Sequence, residues 1–345
     1  MQENEVQEEV QEEVQEELQE EALQEELQEV VHEDQLRKVN VKMLRFQRIC
    51  KLILLTIVAL VFALSFLMPT LLTIGNSFMA ESEISSNYGI IFSKYKEANY
   101  YGYGAADTDY IAERVNLKFI PDMVNFSQYK TVLLKSPEYL LKFWNSVILV
   151  LPIVLFQIII ALGAAYSFTR FRGRLREMVF FAYVVLMLMP YQVTLVPNYL
   201  VANWMGTLDT RWSIIFPGVF APFSVYLLTK FMRRVPESFV EAAKLDGANE
   251  WQIFTKICIP LCKGAIASVA ILVFIDYWNM VEQPLILLSD ADMHPLSVFL
   301  SKINTGEVGL AFSIATIYMI PTILIFLYGE EYLIEGISYT GGVKG

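Results

Sequence analysis

Two carboxylates stand alone in a long apolar stretch. Residues 264–289 contain no Asp, Glu, Lys or Arg other than Asp276 and Glu282, and Asn279 and Gln283 lie beside them. Read as one helix starting near Gly264 and rising ~1.5 Å per residue, the stretch lifts Asp276 by ~18 Å. At about 100° per residue, Asp276, Asn279 and Gln283 share one face, with Glu282 at its edge. Acid–base work on a single bond fits poorly, because Asp276 and Glu282 fall ~9 Å apart along the helix and ~120° around it. Hydrogen bonding fits better: a carboxylate, carbonyl-type acceptors and amide donors match a hydroxyl-rich solute. Tyr191 and Gln192, beside Pro190 in another apolar stretch, are expected at similar depth. A charge that deep in hydrocarbon costs several kcal/mol unless it faces a cavity or a partner group. These six residues therefore line a pathway or bond another helix, and both readings stand.

Other chemistries lack their residues. No GxxxxGK[ST] loop occurs, so nucleotide is not held by that route. His32 and His294 lie outside the apolar stretches, which leaves no legible Ser-His-Asp set. Cys258 and Cys262, at i and i+4, could touch, but no further ligand stands nearby in sequence and no metal site is expected. No cofactor of this chain and no nucleic-acid partner is expected.

The chain is organised around Glu241 to Pro260, EAAKLDGANEWQIFTKICIP. Pro236 suits a first helical position, and Phe239, Val240, Ala243 and Leu245 supply an apolar side. Asp246-Gly247 is turn chemistry, since Gly tolerates the left-handed backbone that ends a helix sharply. Asn249 can cap a second helix with Trp251, Phe254, Ile257 and Cys258 on one face, closed by Pro260. Glu241-Ala242-Ala243, Gly247, Ile257 and Pro260 resemble the EAA loop of the permease subunits of ATP-binding-cassette (ABC) importers, with Ile259 in place of Leu. MLMPYQVTLVPNYLVANWMGTLDTRWSIIFP (187–217), Asn145-Ser146, YWNMVEQPLILL and the final GISYTGGVKG resemble the carbohydrate members of that family. Ser127-Gln128-Tyr129 departs from their usual Asn-Tyr pair.

The surrounding chain must hold this loop in a membrane. Of 345 residues, 55% are apolar, too many for an ordinary soluble domain. Residues 52–80, 143–169, 178–208, 212–229 and 308–329 carry no charge, and each is close to or above the ~18–20 residues that cross the hydrocarbon as helix. With 264–289 they predict an all-α polytopic protein of about six spans. Arg and Lys cluster before the first span, between the second and third (Arg170, Arg172, Arg174, Arg176) and between the fourth and fifth. The positive-inside rule then puts both termini and the 236–260 loop in the cytoplasm. Net charge is −11, but residues 1–34 hold fifteen acids and no Lys or Arg, so the remainder is 26 − 22 = +4. The layout expected is an acidic low-complexity tail (1–36), a basic flank and first span (37–74), an extracellular Tyr-rich loop (75–140) and a five-helix core (141–345). The tail reads equally as a helical arm or as an acidic, unfolded one.

The resemblance implies a permease subunit of the plasma membrane that moves a sugar or oligosaccharide inward by alternating access. It implies a second homologous permease, two ATP-binding subunits that carry the ATP and Mg, an extracellular solute-binding protein, and lipid around the spans. Catalysis is not expected of this chain. Glu241, Ala242, Ala243, Asp246, Gly247, Ile257 and Pro260 are the implied coupling residues. Another solute, such as a polyamine or phosphate ester, stays open, as do an intramembrane enzyme and a membrane scaffold.

Overall fold

The computed structural model describes residues 47–80, 82–84, 86–88, 116–171, 173–302 and 308–338. The acidic tail, the start of the basic flank, Tyr95 to Tyr110 and the last seven residues lie outside the described residues. Among the described residues there are helices and no strand. The chain divides into Met1–Thr70 and Leu71–Gly345. The first unit contributes most of α1 (Gln47–Asn76), whose Leu52, Phe62 and Phe66 are exposed as on a lipid-facing helix.

The second unit is built on α3 (Pro137–Arg170), preceded by a short helix α2 (Ser127–Lys130) with a π turn. Pro137 opens α3 where its missing N–H costs nothing. At 34 residues α3 is ~51 Å long, more than a bilayer core requires. Leu149, Ile153, Ala161, Leu162 and Ala165 form its buried stripe. α6 (Trp212–Val219) and α7 (Pro222–Met232) pack on that stripe, and Gly218 lets α6 approach so closely that a Cβ would lie 3.1 Å from Ile153. Gln157 is buried and donates from Nε2 to Ser224 Oγ (2.6 Å), a polar pairing expected where no water competes. α10 (Lys263–Trp278) packs against α3 and α13 (Val308–Ser338).

Among the described residues four helices are long and apolar enough to cross a membrane, and the number is six if each of two bent pairs counts as one span. The charge-free run 178–208 is one of these pairs rather than a continuous helix. α4 (Arg174–Met187) and α5 (Tyr191–Trp204) meet at 107°. Pro190, with ψ 144° and no N–H to donate, ends the first ladder and starts the second.

Residues 264–289 also break. α10 stops at Trp278, Asn279 takes φ −91°, ψ 4°, and α11 (Glu282–Leu287) starts after Val281. Pro284 is the cause: continued helix would drive its ring into the Met280 carbonyl, whereas in the first turn of α11 no N–H is required. The single face shared by Asp276, Asn279 and Gln283 therefore does not exist. They belong to a helix, its cap and the next helix.

Candidate functional site

The 236–261 segment forms α8 (Glu237–Leu245) and α9 (Glu250–Leu261). Pro236 is the residue just before α8 (ψ 134°) rather than its first helical residue. Val240 is buried and Ala243 packs on the core, which turns Glu241 and Ala242 outward. Gly247 has φ +80°, and the Ala248 N–H donates to the Ala243 carbonyl (2.9 Å), closing α8. The Asn249 cap is reciprocal. Gln252 N–H donates to Asn249 Oδ1 (2.8 Å), and Asn249 N–H donates to Gln252 Oε1 (2.9 Å).

α9 widens to a π turn over Phe254–Cys258. Pro260 supplies no N–H to the ordinary ladder and crowds the carbonyl four residues back, so the turn opens to i→i+5 bonding. Helix continues past Pro260 to Leu261. The extra residue also shifts the buried face. Ile253 and Cys258 point inward, while Trp251, expected beside Phe254 and Cys258, is 69% exposed. With Phe239 and Leu245 (89% exposed) it leaves apolar surface around the turn that carries Asp246 and Gly247. Ile257 is half-buried and Pro260 exposed.

A contact that sequence reasoning missed locks this loop to α3. The Tyr166 hydroxyl donates to the Glu250 carboxylate, which also pairs with Lys244 at 2.9 Å. The Tyr166 hydroxyl first, then Lys244, holds the Glu250 carboxyl below its usual range. Tyr166 is separated from Glu250 by 84 residues, so no local pattern signals the pairing.

At the other end of α3, Asn145 Nδ2 donates to the Asp292 carbonyl (2.6 Å) and the His294 carbonyl (3.2 Å), and Arg211 donates to Asn145 Oδ1 (2.9 Å). Ser146 Oγ accepts from Leu296 N–H (3.0 Å), at the start of α12 (Leu296–Ser301). Asp209 stands at φ +60° and accepts from Ser289 N–H (2.6 Å); the Ser289 hydroxyl first, then this N–H, lowers its carboxyl pKa. Tyr166 and Asn145 are ~32 Å apart along α3, which therefore connects a rigid loop at one face to a clamped cap at the other.

The six polar candidates separate between these ends. Gln192 and Glu282 are brought together across the two breaks, Gln192 Nε2 donating at 3.2 and 3.4 Å. Tyr191 and Gln283 are half-buried nearby in sequence on α5 and α11. Asp276 is exposed on α10 and, among the described residues, makes no hydrogen bond or ion pair. Asn279 is occupied: Nδ2 donates to the Ile275 carbonyl (2.7 Å) and Oδ1 lies 2.8 Å from the Tyr318 hydroxyl. That hydroxyl is also 2.8 Å from the Trp278 carbonyl, so Asn279 seals the α10–α13 junction. Among the described residues no cluster of His, Cys, Asp and Glu could hold a metal ion.

Broken apolar helices around a polar centre, with a capped two-helix loop at one face, are an arrangement suited to a membrane transport subunit. Residues 135–338 match the family described as binding-protein-dependent transport system inner membrane component, and the chain belongs to that family. The arabinooligosaccharides transport system permease protein AraQ of Halalkalibacterium halodurans is 25% identical over 280 residues, covering 80% of this chain and 96% of its own. The lactose transport system permease protein LacG of Rhizobium radiobacter is 28% identical over 207 residues, 59% of this chain and 75% of its own. The fold is similar to that of a bacterial ABC transporter involved in the import of the acidic polysaccharide alginate. That likeness has a TM-score of 0.65 at 24% identity, covering 81% of this chain and 95% of the other.

Proposed function

We propose that this chain is the permease subunit of an ABC importer that carries a sugar or oligosaccharide into the cytoplasm. The observation that carries the reading is the 236–261 loop, where Glu241, Ala242 and Gly247 stay exposed on a frame anchored to α3 by Glu250. The positive-inside pattern supports a cytoplasmic loop and cytoplasmic termini. Two ATP-binding subunits supply ATP and Mg, with one docking on Glu241 to Gly247, and a second permease completes the cavity. An extracellular binding protein delivers the solute at the Asn145–Arg211 face. Catalysis lies outside this chain.

The relatives named for arabino-oligosaccharides and lactose support a carbohydrate as cargo. Asp276, Gln192, Glu282, Gln283 and Tyr191 would present hydrogen-bonding groups to its hydroxyls. Movement of α8 and α9 as one body, transmitted through Tyr166 to α3, would open the cavity to one side and then the other. The test is reconstitution with the second permease, the ATP-binding subunits and the binding protein. Binding-protein-dependent uptake of labelled arabino-oligosaccharide or lactose is expected. ATP turnover unaffected by any sugar-loaded binding protein would refute the sugar, and failure of ATP-binding subunits to associate would refute the coupling role.

A further inference from the structure

Four arginines converge on one cavity at the loop face. Arg170 ends α3, Arg176 lies in the first turn of α4, and Arg233 and Arg234 follow α7. They surround about 560 Å³ that opens beside Pro236 and Glu237. Small-molecule sites span roughly 300–1,000 Å³, so the space is of ligand size. Three guanidinium groups are held by rings: Arg176 lies 4.5 Å from the Phe171 centroid, Arg233 4.8 Å from that of Phe180 and Arg234 5.4 Å from that of Phe231. Stacking of this kind uses the planar face and leaves the N–H edges for an oxyanion. Arg170 Nε is buried and, among the described residues, has no hydrogen-bond partner.

The charge is uncompensated. Glu177 and Glu237 also line the cavity, giving 4 − 2 = +2, and among the described residues neither forms an ion pair with these arginines. Glu250 feels Arg170 electrostatically but spends its hydrogen bonds on Tyr166 and Lys244. Apolar side chains line the same cavity: Phe168, Phe171, Phe180 and Val235 stand among the arginines, and Phe171 is exposed.

We propose that this cavity binds the phosphate group of an anionic phospholipid, with its acyl chains leaving past Phe171 and Phe180. Phosphate oxygens accept paired N–H bonds from guanidinium more strongly than neutral acceptors do, and basic pockets between spans on the cytoplasmic side suit acidic headgroups. The proposal rests on the cytoplasmic placement of the loop face given above. A lipid seated there bridges the ends of α3, α4 and α7 at the root of α8, so it braces the coupling loop where force enters.

The experiment is native mass spectrometry of the assembled importer, delipidated and reloaded with phosphatidylglycerol or phosphatidylcholine. Wild type is expected to retain phosphatidylglycerol in preference to phosphatidylcholine. Arg170→Gln with Arg233→Gln should lower that retention about tenfold or more, as loss of charge-assisted bonds implies. Arg174→Gln, outside the cavity, should leave it unchanged. Should the double variant fail to assemble, Arg233→Lys serves instead, and unaltered retention in it overturns the site. Equal retention of both lipids by wild type overturns it too. Stabilisation by inorganic phosphate with no preference for phosphatidylglycerol overturns the lipid and leaves a soluble phosphate ester. Retention is read without sugar or ATP, so failure of the sugar assignment leaves this result distinguishable.

Discussion

At residue scale, Gly247 and Glu250 divide the labour of the loop. Nothing lies within 4 Å of where a Gly247 Cβ would stand, so a substitution there strains only the backbone at φ +80°. For an ordinary L residue that strain is ~1–2 kcal/mol, less for Asn, which tolerates the left-handed region. Gly247→Asp should abolish uptake while the protein still inserts, because it puts a charge on the proposed docking turn. Gly247→Asn should retain part of the activity. Uptake in cells and co-purification of the ATP-binding subunits check both, and normal coupling in the aspartate variant would remove the turn from the docking surface. Glu250 makes a pH prediction. Its carboxyl is lowered in the folded protein, so its stabilisation is complete above the ordinary value near 4.5 and is lost as pH falls through the lower folded value. Thermal stability of wild type should therefore drop towards that of Glu250→Gln at acidic pH, and the two should differ at pH 7. Parallel curves across the range would show that the Tyr166–Glu250 bond contributes nothing to anchoring.

At element scale, the breaks matter more than the spans. Pro190 and Pro197 both suggest an interrupted third span, but the 107° turn between α4 and α5 falls at Pro190, and Pro197 lies inside α5, which continues through it. The second break was not legible as such. Pro284 is visible in the sequence, but the preceding run is apolar enough to read as continuous helix, and the periodic face built on it placed Asn279 and Gln283 beside Asp276. Tertiary contacts decide otherwise, since Tyr318 from α13 holds Asn279 in a capping position. Asn279→Ala and Tyr318→Phe should consequently fail alike, losing folded protein in detergent together with uptake. Asp276, with no bond of its own among the described residues, should behave differently. Asp276→Asn is expected to transport better than Asp276→Leu at equal expression and equal thermal stability. Wild-type uptake with Asp276→Leu would take Asp276 out of the pathway.

At the scale of the whole molecule, residues 1–34 carry fifteen acids and no Lys or Arg, and apolar residues spaced by four (Val6, Val10, Val14, Leu18) would make only a narrow, drifting stripe on a helix. Deleting them should leave membrane insertion and uptake close to wild type, measured by protease protection and solute flux; a large loss of assembly would mark the stripe as a partner-binding helix. The all-α class with apolar helices long enough to span a membrane, the family and the existence of a capped two-helix loop were determined by the sequence alone. Each depends on local properties: uninterrupted apolar length, turn residues such as Asp246-Gly247, and a capping pair three residues apart at Asn249 and Gln252. Tertiary structure alone decided what those elements are fastened to. Tyr166 reaching Glu250, Arg211 reaching Asn145 and Gln192 reaching Glu282 join residues 66 to 90 positions apart. The four arginines around one cavity likewise come from three stretches that only helix packing brings together. Helical periodicity specifies which side of a helix is apolar, but the partner that side meets depends on how whole helices cross, which no local pattern encodes.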